Sequence, residues 1–244
     1  MTGAAARGVH AVLRRLGVDI VRYTPDRFPD LRRIEAIRTR RVDLVLDVGA
    51  NAGQWARLLR RTGYDGRVVS FEPVDGAFAE LQRAADADPF WEATQLALSD
   101  TDGHATINVS GNSWSSSLLP MAALHAASAP DSRYVATQDV ETARLDTLRG
   151  KLAGPAARIF AKLDVQGAEL AVLRGAAKTL AQVEALEVEL SYAELYTGQA
   201  LLPELVAHLH DAGLDLIGIE PVFADPRSGE LLQVDGFFLR RHAR

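Results

Sequence analysis

The feature that most constrains the fold is a regular alternation of short apolar runs with segments of helical periodicity. Residues 44–48 (LVLDV) and 67–71 (RVVSF) have the length and composition of buried strands, and a helical pattern follows each of them. Further strand-length runs lie at 91–98, 105–109, 159–165, 185–190, 214–219 and 237–239, and further helical patterns lie at 168–180 and 202–212. This alternation predicts a mainly parallel sheet covered by helices on both faces, in one α/β domain.

Residues 110–137 interrupt the alternation and are rich in serine, alanine and proline. An irregular stretch of this length inside a compact domain is usually a binding loop or lid, or a mobile segment. Ligands of open parallel sheets bind beyond the carboxyl ends of the strands. The candidate site residues are therefore the polar residues that directly follow strands, together with this stretch.

The strongest local signal is the turn at residues 47–53 (DVGANAG), between the first strand and its helix. Glycines there permit unusual dihedrals and let a ligand approach the backbone. A dinucleotide-binding turn requires G-x-G-x-x-G, but Asn51 and Gln54 stand at the second and third glycine positions. The Gly-Lys-Ser/Thr sequence of a Walker loop is also missing. The turn therefore disfavours a nicotinamide enzyme and a nucleoside triphosphatase.

Two acidic residues indicate which ligand the turn binds. Glu72 ends the second strand, 19 residues beyond Gly53, where an acid can accept hydrogen bonds from both ribose hydroxyls of an adenosine. Asp47 can face an ammonium group. S-adenosylmethionine has both features and no phosphate, and its carboxylate can bind amides at the helix N-terminus. The alternative is that Asp47 caps a helix and Glu72 is a solvated strand end.

Five motifs in order make the chain resemble the FkbM family of methyltransferases. They are residues 47–53 (DVGANAG), 71–73 (FEP), 97–100 (ALSD), 116–118 (SSL) and 163–169 (LDVQGAE). The resemblance implies a class I, Rossmann-like fold with a mostly parallel seven-stranded sheet whose last strand is antiparallel. We expect a single methyltransferase domain at 42–244 after a basic helical segment at 1–41. Gln166 stands where glutamate is common in the family.

The resemblance also implies the reaction. Family members transfer methyl groups from S-adenosylmethionine, mostly to hydroxyls of sugars, macrolides and related natural products. Residues 15–22 (RLGVDIVR) resemble actinobacterial members that act on polysaccharide or glycolipid sugars. We therefore expect O-methylation of a saccharide, a mannoside or rhamnoside. The alternatives are a macrolide or other natural-product hydroxyl, and a non-catalytic scaffold that binds S-adenosylmethionine.

Asp164 is the first candidate for the catalytic base, because it lies at the carboxyl end of the predicted strand at 159–165. Glu189 ends the next strand and Glu169 opens the helix after Asp164. Carboxylates suit Mg²⁺, so these three residues could hold one such ion. The alternative is that Glu169 is a favourable acid in the first turn of a helix. His125, in the irregular stretch, is a second candidate base.

The remaining candidates are binding residues. The residues assigned to the cofactor follow the first three strands and are Asp47, Gly49, Asn51, Gly53, Glu72, Ser99 and Asp100, the last two at the adenine edge. The residues assigned to the acceptor are Trp114, Ser116, Ser117 and Tyr192. Aromatic rings with a polar tip suit polyhydroxylated ligands, although they more often serve packing.

Charge and composition limit the partners. The chain of 244 residues has a net charge of −5 and no cysteine, which excludes a disulfide scaffold, a thiolate metal site and a cysteine nucleophile. Residues 1–41 hold ten arginines and four acidic residues, so the remainder is strongly acidic, which argues against a nucleic-acid partner. We expect the arginines to be solvated or to pair locally with acidic side chains.

Nothing in the sequence favours a membrane segment. Arg14 and Arg15 interrupt the apolar run at residues 11–21, which argues against a signal peptide. Apolar runs stay shorter than the roughly 18 residues that a membrane span requires. We expect a cytoplasmic protein, and the sequence does not decide between a monomer and a homodimer.

Overall fold

The computed structural model describes residues 13–15, 17–18, 23–154 and 156–242. In chain order, the strands are β1 Leu44–Val48, β2 Arg67–Phe71, β3 Trp91–Thr94, β4 Ala97–Leu98, β5 Gly103–Ser110, β6 Tyr134–Ala143, β7 Ile159–Leu163, β8 Val183–Ser191, β9 Leu214–Ala224 and β10 Leu231–Arg240. The α-helices are α1 Pro29–Thr39, α2 Gln54–Arg61, α3 Asp75–Ala85, α4 Ala123–Ser128, α5 Leu145–Leu152, α6 Glu169–Gly175 and α7 Leu202–Asp211. Short 3₁₀ turns lie at Pro130–Ser132 and Thr179–Gln182.

The large sheet has seven strands in the order β3-β2-β1-β7-β8-β10-β9. Its strands are parallel except β10, which runs antiparallel to both β8 and β9. The expected α/β fold, with a mostly parallel sheet and an antiparallel last strand, is thereby confirmed. Because the strand order reverses between β1 and β7, the carboxyl ends of these two strands form the crevice where such sheets bind ligands.

Helices cover both faces of this sheet, which explains why its central strands are apolar throughout. Every residue of β1 is buried. Successive side chains of a strand point to opposite faces, so Leu46 packs in one core with Leu163, while Val45 packs in the other with Phe160. The two cores hold the sheet rigidly below the crevice.

A second sheet, which the sequence did not reveal, has three strands in the order β4-β6-β5. The run predicted as one strand at 91–98 is divided between β3 in the large sheet and β4 in the small one. The stretch predicted as irregular at 110–137 contains α4, a 3₁₀ turn and the start of β6, so its irregular part is 111–122. Half of the residues of β6 are exposed, so it lacks the apolar pattern of a buried strand.

The helix predicted at 168–180 is shorter in the structure. It is α6, followed by a separate 3₁₀ turn. A side chain at Gly175, the last residue of α6, would place its Cβ 2.0 Å from the backbone oxygen of Ser99. The helix therefore ends at a residue that packs directly against the loop after β4.

Several of the N-terminal arginines that the structure describes form ion pairs, some of them with distant parts of the chain. Arg33 forms an ion pair with the buried Glu187 and with Asp30, and Arg32 pairs with Glu220. The buried side chains of α1 join the core beneath the sheet, so this part of the segment 1–41 packs on the body of the domain. Residues 1–12, 16 and 19–22 of that segment lie outside the described residues. In the part of the chain that the structure describes, the helices are too short or too polar to cross a lipid bilayer.

Candidate active site

A cavity of about 770 Å³, counted with the space open to solvent, lies at the carboxyl ends of β1, β2 and β7. A volume of this size is usual for a site that binds a small ligand. Its wall combines the turn after β1, the end of β2, residues 96–98 and parts of the segments 113–118 and 162–168. The predicted site residues that line it are Gly49, Asn51, Glu72, Trp114, Ser116 and Asp164.

The turn between β1 and α2 contains three residues in the left-handed region, Gly49, Asn51 and Gly53, with φ of 77°, 47° and 82°. A Cβ at Gly49 would lie 1.8 Å from the backbone oxygen of Asp164. A Cβ at Gly53 would lie 2.9 Å from the ring of Trp91. Close packing therefore requires both glycines, in addition to the freedom of the backbone that the sequence suggested.

Glu72, at the end of β2, is only 7% exposed. Its Oε2 accepts the backbone N–H of Asn51 at 2.8 Å, and its Oε1 accepts that of Val74 at 2.9 Å. Burial raises the pKa of Glu72 to about 7, although both N–H groups favour the ionised form. Each carboxylate oxygen retains a lone pair, so Glu72 can accept two ligand hydroxyls.

Asp47 is fully buried beneath the turn and does not line the cavity wall. Its Oδ2 accepts the hydroxyl of Ser70 at 3.1 Å, while its Oδ1 has no hydrogen-bond donor among the described residues. Burial raises the pKa of Asp47 to about 6, and the charge of Lys162 opposes that rise. A buried charge is unfavourable without compensation, so Asp47 favours a cationic group nearby, such as Lys162 or the charged group of a ligand in the cavity.

Lys162, which the sequence analysis did not select, lines the cavity from within β7. Its side chain is 12% exposed, and its Nζ donates to Oδ2 of Asp164 at 3.0 Å. Burial alone would lower the pKa of Lys162, but the charges of Asp164 and Asp47 raise it above its ordinary value. A lysine inside the otherwise apolar strand Ile159–Leu163 is the signal that could have identified it.

Asp164 lies just beyond β7, with its side chain 34% exposed to the cavity. Besides Lys162, it accepts a hydrogen bond at 2.6 Å from Nε2 of Gln166, on Oδ1. Each oxygen is thus held by one donor and keeps lone-pair capacity for another. Asp164 is the predicted base candidate that reaches the cavity.

Glu189 and Glu169 are both buried and do not line the cavity. Oε2 of Glu189 accepts hydrogen bonds from the amides of Gln166 at 3.2 Å and Gln233 at 2.8 Å. Oε1 of Glu169 accepts the backbone N–H groups of Val165 at 3.0 Å and Gly167 at 3.2 Å. Burial raises the pKa of Glu169 to about 7, and it raises that of Glu189 well above its ordinary value.

These contacts do not fit the predicted metal site of Asp164, Glu189 and Glu169. Glu169 faces backbone amides, and the Gln166 amide lies between the other two carboxylates. Among the described residues, no cluster of three or more histidine, cysteine or acidic side chains could hold a metal ion. Mg²⁺ is therefore not supported, and Glu169 closes the turn before its own helix.

The structure places His125 away from the cavity, on the buried face of α4. Its ring meets the ring of Tyr196 edge-on, with the centroids 5.0 Å apart, and lies 5.8 Å from that of Phe223. Burial lowers the pKa of His125. It is a packed aromatic residue here rather than a base that faces an acceptor, because α4 orders the stretch that was expected to be irregular.

The predicted acceptor residues divide into two groups. Trp114, 59% exposed, and Ser116 lie at the cavity. Ser117 is buried beside it, and its hydroxyl donates to the backbone oxygen of Gln166 at 2.6 Å. Tyr192, 46% exposed, follows β8 and is not part of the cavity wall.

The structure places other residues than expected at the adenine edge of the cavity. Ser99 and Asp100 do not line the cavity, whereas the preceding residues 96–98 do. The backbone N–H of Ser99 donates to the oxygen of Ala143 in β6. The loop after β4 is thus hydrogen-bonded to the small sheet. The apolar residues before this loop line the cavity instead.

A second polar group that the sequence analysis did not select is the indole N–H of Trp55, in the first turn of α2. The residue lines the cavity, and its ring stacks on Phe160 with the centroids 5.8 Å apart. Its Nε1 is buried and has no acceptor among the described residues. In the sequence, Trp55 is marked only by the helical pattern that follows the first strand.

One family model and several solved structures are similar to this chain. The methyltransferase FkbM domain family matches residues 47–216. Among curated proteins, none matches the sequence. Solved structures similar in fold include TehB from Haemophilus influenzae, with a TM-score of 0.45, 9% identity and coverage of 85% of this chain and 61% of that one. The chain thus spans about 61% of the length of TehB.

Two further similar structures cover nearly the whole of both chains. A TehB-like SAM-dependent methyltransferase from Corynebacterium glutamicum has a TM-score of 0.41 and 11% identity over 98% of this chain and 99% of its own. Magnesium protoporphyrin IX methyltransferase from Synechocystis, solved with bound SAM, has a TM-score of 0.45 and 11% identity over 98% of this chain and 100% of its own.

The strand order and the glycine turn define the fold of a class I, Rossmann-like methyltransferase. The family match covers well over half of the sequence. The chain belongs to the FkbM methyltransferase family.

Proposed function

We propose that the chain transfers the methyl group of S-adenosylmethionine to a hydroxyl of a saccharide. The observation that carries this proposal is that the carboxylates of Glu72 and Asp164 line one cavity, on either side of the turn after β1. Glu72 belongs to the cofactor end of this cavity and Asp164 to its acceptor end.

The residues at the cofactor end fit S-adenosylmethionine. Glu72 accepts hydrogen bonds from the ribose hydroxyls with the lone pairs that its two backbone partners leave free. The apolar residues 96–98 face the cavity where a flat adenine can pack. The buried charge of Asp47, which does not reach the cavity wall, favours the ammonium group at longer range, and the first turn of α2 favours the carboxylate. When bound, the cofactor supplies an activated methyl group on a sulfonium.

At the acceptor end, Asp164 accepts the proton of the acceptor hydroxyl. With the cofactor bound, the acceptor oxygen would take the methyl group as the sulfur leaves as a neutral thioether, and the carboxylate of Asp164 would hold the proton of the hydroxyl. Nζ of Lys162 donates to Oδ2 of Asp164 at 3.0 Å and fixes that oxygen. General base catalysis of this kind contributes about 10²–10⁴-fold, and alignment of the hydroxyl contributes on the order of 7–11 kcal/mol to lowering the barrier.

A saccharide suits the rim of this cavity. Trp114 presents a largely exposed indole beside the hydroxyl of Ser116. An aromatic face packs on the C–H face of a sugar ring while polar neighbours bind its hydroxyls. The family resemblance supports a mannoside or rhamnoside of a polysaccharide or glycolipid in preference to a macrolide hydroxyl.

The test is a screen of defined mannosides, rhamnosides and other sugars with S-adenosylmethionine that carries a labelled methyl group. Label should enter at least one saccharide, and NMR of the product should place it on oxygen. The Asp164→Asn variant should bind S-adenosylhomocysteine without transferring label. Transfer to a macrolide hydroxyl alone would contradict the saccharide proposal. Cofactor binding without transfer to either class of acceptor would indicate a scaffold.

A further inference from the structure

Gln166 links two carboxylates that come from different strands. Its Nε2 donates to Oδ1 of Asp164 at 2.6 Å and lies 3.2 Å from Oε2 and 3.4 Å from Oε1 of Glu189. Asp164 follows β7, and Glu189 lies in the neighbouring strand β8. The amide hydrogens of one side chain thus occupy the space between two acidic groups beside the cavity.

Tyr196 fixes the direction of this amide. The buried Tyr196 hydroxyl donates to Oε1 of Gln166 at 2.6 Å, which leaves the NH₂ group directed at the two carboxylates. The opposite orientation would place the amide oxygen against both carboxylates. Charge and hydrogen bonding therefore select one orientation of the amide.

The backbone of Gln166 is also held in an unusual conformation. Its φ is 54°, in the left-handed region, where a residue with a side chain is strained. Its carbonyl oxygen accepts the hydroxyl of Ser117 at 2.6 Å, from the segment that borders the cavity. Strain that the surroundings maintain is typical of positions with a task at a functional site.

We propose that the Gln166 amide takes the place of a bridging cation: it holds Asp164 and Glu189 together and aims Asp164 into the cavity. Gln166 is then a positioning residue, and it acts on the reaction through Asp164. The part of this inference that concerns the reaction rests on the proposed function, whereas the amide bridge does not.

The two kinds of bridge exclude each other for a physical reason. A cation between the carboxylates would need the oxygen lone pairs that the amide hydrogens use. Exchange of the amide for a carboxylate removes those hydrogens and adds a third oxygen ligand. Gln166→Glu should therefore convert the bridge into a site for a hard cation such as Mn²⁺.

The first experiment needs neither acceptor nor methyl transfer. The full-length chain and its variants are titrated with Mn²⁺, and the free ion is followed by electron paramagnetic resonance. Gln166→Glu should bind Mn²⁺ on the order of 10–100-fold more tightly than wild type. Gln166→Met frees the carboxylate lone pairs but adds no oxygen ligand, so it should gain less affinity than Gln166→Glu. Gln82→Glu, which makes the same exchange on α3 beside Asp86, should behave like wild type.

Two results would overturn the amide bridge. One is a saturable Mn²⁺ site in the wild-type chain that Asp164→Asn removes, a measurement that does not depend on the folding of Gln166→Glu. The other is a Gln166→Glu chain that still binds S-adenosylhomocysteine but gains no affinity for Mn²⁺.

The second experiment tests positioning, with the best acceptor from the saccharide screen. Gln166→Met should lower kcat about 10–100-fold, because Asp164 loses its alignment, and should leave the Kd of S-adenosylhomocysteine nearly unchanged. Tyr196→Phe keeps the ring against His125 and should lower kcat by a smaller factor. Full kcat in Gln166→Met would overturn the positioning role. If no acceptor is methylated, the proposed function fails, and the Mn²⁺ titration still decides the amide bridge.

Discussion

The cofactor end and the acceptor end of the cavity hold their carboxylates by different means. Glu72 accepts the backbone N–H groups of Asn51 and Val74. Asp164 is held by the side chains of Lys162 and Gln166. Backbone donors are fixed by the turn itself, whereas side-chain donors change with each substitution.

This difference explains how one fold can keep a constant cofactor end and vary its acceptor end. A substitution around Asp164 can alter the direction of its oxygens without disturbing the turn that holds Glu72. We therefore assign binding to the cofactor end and chemistry to the acceptor end. Three substitutions and a pH series test that division.

Replacement of Asp164 should have the largest effect. Asp164→Asn keeps the shape of the side chain but cannot take a proton, so kcat should fall about 10²–10⁴-fold. The calorimetric Kd of S-adenosylhomocysteine should change less than about threefold, below 1 kcal/mol. Asp139→Asn, in the exposed part of β6, is the control that should keep full turnover. A loss of cofactor affinity in Asp164→Asn as large as its loss of kcat would contradict the assignment of binding to one end of the cavity and chemistry to the other.

Gly49, at the cofactor end of the cavity, packs against the backbone of Asp164, at the acceptor end. A Cβ at Gly49 would lie 1.8 Å from the backbone oxygen of Asp164. Gly49→Ala should reduce the free energy of unfolding by on the order of 3–5 kcal/mol. Gly63 has φ of 96° but open space around it, so Gly63→Ala should show only the backbone strain, about 1–2 kcal/mol. Urea unfolding of both variants measures the difference, and equal losses would contradict the close contact at Gly49.

Replacement of Glu72 should weaken binding rather than chemistry. Glu72→Gln loses the charge that strengthens hydrogen bonds to the ribose, each worth about 1.5–3 kcal/mol, so the Kd of S-adenosylhomocysteine should rise about 10–100-fold. With cofactor at saturation, kcat should remain near that of wild type. Glu92→Gln, an exposed residue of β3, provides the control. A large loss of kcat in Glu72→Gln at saturation would show that the two ends are not separate.

The smallest expected effect concerns pH. Burial raises the pKa of Glu72 from 4.5 to about 7, so over this interval the folded chain keeps a proton that the unfolded chain has lost. The contribution of Glu72 to stability is therefore present below pH 4.5 and is lost as the pH rises to about 7. Thermal unfolding between pH 5.5 and 7.5 should show a smaller fall in Tm for Glu72→Gln than for wild type. Equal falls would mean that Glu72 is already ionised across this range.

Much of the fold could be predicted because the central strands are buried on both faces. β1 and β2 have the predicted bounds, since continuous apolar runs mark them clearly. β6 and α5 were missed. Half of the residues of β6 are exposed, so this strand carries no continuous apolar pattern. The number of strands in the large sheet came from the family resemblance, and the small sheet had no comparable signal.

How much of the site could be predicted differs between its cofactor end and its acceptor end. Glu72 and the turn are close in sequence and lie together for local reasons, so motif spacing predicted that end. The acceptor end depends on Gln166, Glu189, Gln233 and Tyr196, which only the packing of β8, β10 and the following loop brings together. Spacing could suggest carboxylates there, but it could not reveal that an amide separates them.

The division between the two ends is tested most directly by the double variant Glu72→Gln/Asp164→Asn, measured beside both single variants. We predict that it has the cofactor Kd of Glu72→Gln and the kcat of Asp164→Asn, with the free-energy changes additive to within about 0.5 kcal/mol. A coupling energy well above that value, in either the Kd or kcat, would contradict separate roles for the two ends of the cavity.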